Sequence, residues 1–288
     1  NLFTKSGLVN KYNFILKNVN TDGENSSKYK NKKDTEFFTS LMYTTSYPLK
    51  KTGELFDSFF TPKIAFRYSP NKTRNMKDDD LRIDFTNVNS FNRIGKDDAV
   101  EGGQSITLNT DYKITSKEHD ELFSLGLATV FRDDKDDHLP TTSTIEKKQS
   151  NYFGNLKFTP NEYLNFDYNF SLRDNLDRSN YDFLKAEISV NNFVTTFEYL
   201  EENQVIGKKG YLGNTTTFNF DDKNSIKFGT RKNRETDLTE FYNLIYQYKN
   251  DCLVAAIEYN KEYYNDQDLK PSENLFLKLS IIPFGGMN

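Results

Sequence analysis

The sequence predicts an all-β protein, an antiparallel transmembrane β-barrel of which about fourteen strands lie in this chain. Three observations predict it. Short stretches alternating apolar and polar residues recur from end to end, and successive side chains on a strand point to opposite faces. The connections between these stretches alternate strictly between short and long. The 288 residues are 35% hydrophobic but 15% aromatic, with a mean hydropathy of −0.78. That balance is poor for an internal core, yet it suits a sheet with one face against lipid and the other in water.

Taken in order, strands are expected near 8–19, 35–48, 58–70, 102–115, 119–132, 151–159 and 163–174, then near 180–190, 192–202, 209–220, 224–233, 237–249, 252–264 and 272–284. In the fourth, Ile106, Leu108, Tyr112 and Ile114 oppose Ser105, Thr107, Asn109, Asp111 and Lys113. In the fifth, Phe123, Leu125, Leu127 and Phe131 oppose Ser124, Gly126 and Ala128. The seventh has the cleanest alternation: Leu164, Phe166, Tyr168, Phe170 and Leu172 against Asn165, Asp167, Asn169, Ser171 and Arg173. The strand at 209–220 is ragged. In the last, Leu275, Leu277, Leu279 and Ile281 form an outer face, with Lys278 and Ser280 inside. On this reading Asn109, Asp111, Asn165, Asp167 and Asn169 face the lumen.

Short connections fall near 49–57, 116–118, 160–162, 191, 221–223 and 250–251, and long ones near 20–34, 71–101, 133–150, 175–179, 203–208 and 265–271. Outer-membrane barrels have short periplasmic turns and long external loops, so both ends of the chain are expected on the periplasmic side, which requires an even strand count. The charge runs Lys77-Asp78-Asp79-Asp80 and Asp133-Asp134-Lys135-Asp136-Asp137 read as solvated loop tips, and neither fits a calcium loop. Gly102-Gly103 reads as a bulge or turn where a strand begins.

The remaining chemistry is sparse. A net charge of −4 leaves no nucleic-acid footprint. His119 and His138 make no metal-ligand spacing, Cys252 has no partner for an internal disulfide, and no nucleophile, phosphate-loop or cofactor motif occurs. Neither an enzyme, a metal nor a cofactor is expected. No run is long and apolar enough for a membrane helix, and Asn1 to Asn10 does not read as a signal peptide, so the exported protein is expected to begin upstream.

Two segments resemble a known family. Tyr248 to Tyr259, with its Asn250-Asp251-Cys252 turn, is followed by Pro271 to Phe284. Upstream stand Thr61 to Pro70, Asp84-Phe85-Thr86-Asn87, Asn89-Ser90-Phe91-Asn92-Arg93-Ile94-Gly95 and Glu101-Gly102-Gly103. Together they resemble the LPS-assembly protein family LptD (OstA/Imp). The resemblance implies the C-terminal half of a barrel of about 26 strands, with the periplasmic jelly-roll domain and first strands outside residues 1–288. It implies delivery of lipopolysaccharide (LPS) to the outer leaflet of a Gram-negative outer membrane, from a periplasmic bridge and around an LptE-like lipoprotein plug. It also implies a lateral seam at the last strand, Asn274, Leu275, Phe276, Leu277, Lys278, Leu279, Ser280, Ile281, Ile282, Pro283 and Phe284, and an inter-domain disulfide at Cys252. The alternatives are a self-contained 14-stranded porin or hydrophobic-solute channel, and a soluble β-rich binding module.

Overall fold

The structure, a computed structural model, describes residues 2–25, 29, 31–118, 120–203, 208–263 and 271–281. Sixteen strands form one sheet: β1 (Leu2–Phe3), β2 (Val9–Thr21), β3 (Asp34–Ser46), β4 (Leu49–Thr52), β5 (Phe56–Ser69), β6 (Gly103–Ser116), β7 (Glu121–Arg132), β8 (Tyr152–Asn161), β9 (Leu164–Leu172), β10 (Ser179–Val190), β11 (Phe193–Asn203), β12 (Lys208–Asn219), β13 (Asn224–Asn233), β14 (Leu238–Lys249), β15 (Leu253–Glu262) and β16 (Ser272–Ile281). Hydrogen-bonded neighbours follow chain order. The all-β antiparallel class expected from the alternation is present, and its fourteen long strands start and stop within a few residues of their expected bounds. The only helical piece is a 3-10 turn at Thr141–Ser143 among the described residues.

The two extra strands are short. β1 pairs with the start of β2 through Leu2↔Asn10 and Phe3↔Val9. β4 corrects the expected 49–57 turn. Ser46 pairs with Lys63 and Leu49 with Phe60, so β3 and β4 keep one register along β5 and the true connection is residues 53–55. The break lies at Pro48, which has no N–H to give the ladder; Tyr47 N still donates to Pro62 O at 3.0 Å.

The chain divides into two compact units, residues 1–157, 169–182 and 202–207, and residues 158–168, 183–201 and 208–288. In the first unit the sheet is inverted relative to a soluble protein. On β6 the polar side chains Ser105, Thr107 and Asn109 are buried while Ile106 and Leu108 are exposed. On β7 Ala128, Val130 and Arg132 are buried, and Leu127 and Phe131 are exposed. What buries the polar face is the chain itself. Residues 70–102, expected as an external loop, fold down onto it, and Met76, Ile83, Val88, Ile94 and Ala99 make the apolar core with Ala128, Val130, Leu139, Ile145 and Phe153. The correction has a simple origin. Six buried apolar side chains in this connection, those five and Val100, gain by leaving water, whereas its charge run, Lys77 to Asp80, stays at the surface.

Glycines admit this insertion. A Cβ on Gly126 would meet the Phe85 ring at 2.0 Å, and one on Gly102 would meet Asn71 O at 2.4 Å. Gly103, with φ of +74°, starts β6 from a left-handed conformation.

The second unit has the same alternation, and among the described residues it has no such cover. Phe228 pairs with Leu244, Leu244 with Tyr259, and Tyr246 with Ile257 on the exposed apolar face. Three of its tight turns share one device, a side-chain oxygen that gathers two backbone N–H groups. Asn161 Oδ1 accepts from Tyr163 and Leu164, Asp221 Oδ1 from Lys223 and Asn224, and Asn250 Oδ1 from Cys252 and Leu253.

Replacing Gly126 with Leu should expel Phe85 and loosen the inserted segment, read as faster proteolysis within residues 71–101. Gly213→Ala, whose added methyl meets its nearest neighbour at 3.6 Å, should leave cleavage unchanged.

Candidate functional site

The inserted segment is built from short local bonds. Asp84 Oδ1 accepts from the backbone N–H groups of Thr86 (2.8 Å) and Asn87 (3.2 Å), and Asn87 Oδ1 accepts in return from Asp84 N at 3.0 Å. A second turn closes where Gly95 N donates to Asn92 O at 3.0 Å, with Gly95 at φ +64° and Asn92 Nδ2 donating to Lys96 O. Lys17 on β2 fixes the far side, its Nζ donating to Lys96 O at 2.7 Å and Ala99 O at 3.1 Å.

At the centre lies Glu101, whose side chain is 2% exposed. Arg93 grips it with two parallel bonds, Nε to Oε2 at 2.7 Å and Nη2 to Oε1 at 2.5 Å. Arg132 from β7 adds Nη1 to Oε1 at 2.6 Å, and Arg67 from β5 approaches to 3.6 Å. The guanidiniums also donate outward: Arg67 to Ser90 O and Phe91 O, Arg93 to the hydroxyls of Thr107 and Ser105, and Arg132 to Gly102 O. Asp136 lies 3.6 Å from Arg132 and accepts from Thr73. Burial alone would raise the Glu101 carboxyl, but Arg93, Arg67 and Arg132 overrule it and hold it at about 2. A carboxylate so fixed does not exchange protons near neutral pH. The cluster therefore anchors the segment and, with three guanidiniums against the carboxylates of Glu101 and Asp136, leaves a net positive charge on the inner face.

A second polar network joins β14, β15 and β16. Glu258 accepts from Asn243 Nδ2 at 3.0 Å and Asn260 Nδ2 at 2.8 Å, and pairs with Lys278. On the other face of β16, Leu275, Leu277, Leu279 and Ile281 are 66–79% exposed. β16 pairs with β15 from Glu262↔Ser272 to Leu253↔Ile281, and no strand among the described residues covers its other edge.

A model of the family described as LptD, LPS transport system D, matches residues 8–231. The chain belongs to the LptD family. Membership carries with it LPS transport and points to a Gram-negative outer-membrane protein, a transport and assembly class. No curated protein matches the chain. Among solved structures, engineered variants of the porin of Rhodopseudomonas blastica resemble it at 9% identity and a TM-score of 0.35. One covers 90% of this chain and 96% of its own, and a triple mutant covers 95% and 98%. A superposition that loose aligns no individual residue.

The structure brings together residues that the family-like segments contain but to which the sequence assigned no role. Arg67, Arg93 and Glu101 meet, and Arg132 joins them from outside those segments. Asn109 lies on the same buried face, with both side-chain amide atoms unpartnered. Asp111 is two positions further along the same face. On β9, Asn169 accepts from Asn155 at 2.9 Å and Asn165 from Thr159 at 3.3 Å; Asp167 lies between them. Cys252 is a half-buried free cysteine. His138 is exposed, 3.5 Å from Asp136. His119 and the expected seam residues Ile282, Pro283 and Phe284 lie outside the described residues. Among the described residues no group of three His, Cys, Asp or Glu side chains gathers where a metal ion could sit.

Glu101→Gln strands three buried guanidiniums and should destabilise the protein by about 3–5 kcal/mol, measured by denaturation in detergent. Because the folded carboxyl sits below its ordinary 4.5, at about 2, its stabilisation is present above pH 4.5 and is lost as the pH falls through about 2. The wild-type stability curve should fall across that window, and the variant's should be flatter.

Proposed function

We propose that this chain forms the C-terminal part of a barrel of about 26 strands that delivers LPS to the outer leaflet of the outer membrane. The observation that carries the reading is the inverted amphipathicity: apolar side chains exposed on one face, polar and charged ones gathered on the other. Such a sheet is stable where the exposed face meets hydrocarbon. LPS has the matching division, a sugar portion suited to the polar face and acyl chains that must pass sideways into lipid. Of the expected lumen-facing residues, Asp111, Asn165, Asp167 and Asn169 belong to the first route, whereas Asn109 is buried.

The second route needs a strand edge that opens. We assign it to β16 and its continuation, Asn274 to Phe284. Through Lys278 and Glu258, β16 stays tied to β15, so opening occurs at its other edge, against the barrel's first strand. An LptE-like lipoprotein would fill the lumen, a periplasmic bridge would load LPS through an N-terminal domain, and Cys252, in its turn, would take a disulfide from that domain.

Two measurements test the reading. Arg in place of Phe166 or Tyr168 should cost about 2–4 kcal/mol at mid-depth and abolish the heat-modifiable band of the assembled protein, whereas Asn165→Arg assembles. Equal assembly would reverse the assigned faces. A photo-crosslinking residue at Asn243, in the full-length protein in cells, should capture LPS; a barrel that assembles with no LPS adduct there would overturn the transport path.

A further inference from the structure

We infer that the inner face carries a phosphoryl-binding pocket beneath the inserted segment. A cavity of about 190 Å3 lies between Asn89 and strands β2, β3 and β5. Met42 and Ala65 belong to its apolar lining, and Lys11, Thr44, Lys63 and Asn89 to its polar lining. No carboxylate lines it. Asp111 is within electrostatic reach of Lys63 from the neighbouring strand.

The pocket contains unmet demand. Thr44 Oγ1 and Asn89 Oδ1 are buried without a hydrogen-bond partner, and Asn109, the register partner of Lys63, has two further orphaned amide atoms. Buried polar groups ordinarily find partners, and a group left without one marks a missing water, ion or ligand. A hydroxyl, a carboxamide that donates in its flipped orientation and two ammoniums form a donor set for a tetrahedral oxyanion. The excess of guanidinium over carboxylate around Glu101, three against the two of Glu101 and Asp136, on the same face of the same unit, adds to the attraction.

The apolar lining makes the occupant more than a free ion. A phosphorylated amphiphile places its phosphate on the lysines and an apolar part on Met42 and Ala65. In this the inference rests on the proposed function: the ligand is the phosphate of LPS in transit, held below the segment that fills the upper part of the polar face.

The test uses the purified full-length protein with its partner subunit, and three probes: LPS, the same LPS stripped of phosphate, and inorganic phosphate. The double variant Lys11→Gln/Lys63→Gln should bind phosphorylated LPS about tenfold or more weakly and stripped LPS as the wild type does. Lys11→Arg/Lys63→Arg should restore binding, which separates charge from folding. Inorganic phosphate should slow acetylation of Lys63 in the wild type but not in Asn89→Ala. If the wild type binds both forms of LPS equally and phosphate protects nothing, the cavity holds only water and the inference falls while transport stands. If phosphate protects Lys63 but neither form of LPS binds, the pocket survives and the transport reading falls.

Discussion

A carboxylate with 2% exposure can remain ionised only if it is surrounded. Glu101 meets that demand with Arg93 from its own segment, Arg67 from β5 and Arg132 from β7, and this single requirement fixes much of the first unit. It draws residues 70–102 onto the sheet and sets where β6 begins. It also explains the glycines after Glu101: Gly102 lets Asn71 O approach, and Gly103 supplies the left-handed turn. The apolar side chains of the segment then complete a core on what would otherwise be a wet face. Charge pairing gives the insertion its register, and Met76, Ile83, Val88 and Ile94 supply area removed from water.

The long strands were legible because period two leaves its mark in most of them, even where mean hydropathy is low. Leu164, Phe166, Tyr168 and Phe170 against Asn165, Asp167 and Asn169 can be read no other way. The turns were legible too, since Asn161, Asp221 and Asn250 are side chains that form turns. The inserted segment was not. Its charge runs suggested solvent, and its apolar residues have no regular spacing, because an irregular segment packs by shape and not by period. The signal was present in Met76, Ile83, Val88, Ile94 and Val100, too many apolar residues for a connection in water. Arg132 was invisible for another reason: the end of an alternating strand looks the same whether its last polar residue meets water or a buried carboxylate.

The face beneath the segment therefore has two characters. Around Glu101 every donor has an acceptor, and the arrangement is rigid and closed. Below it, around Lys63, Thr44, Asn89 and Asn109, donors and acceptors are left over. The difference between a structural polar site and a binding one lies in that accounting, because both contain the same residue types. On the opposite face of that unit the logic is simpler: aromatic side chains pair across strands, as Tyr12 and Tyr43 do with ring centroids 4.9 Å apart, and ask only for a hydrocarbon neighbour.

The pairing order has a kinetic meaning. Apart from β4, which pairs with β5 beside β3, each strand bonds to the next in the chain, and several of the hairpins turn on a single side-chain oxygen, so the search that forms each pair is short. Even the charged cluster draws on residues 67 to 132. Growth of the sheet can proceed hairpin by hairpin from any point, with little loop entropy to overcome. Among the described residues β16 has a single neighbour, β15. In the proposed transport path, the edge that parts is the one that hairpin growth among the described residues leaves uncovered.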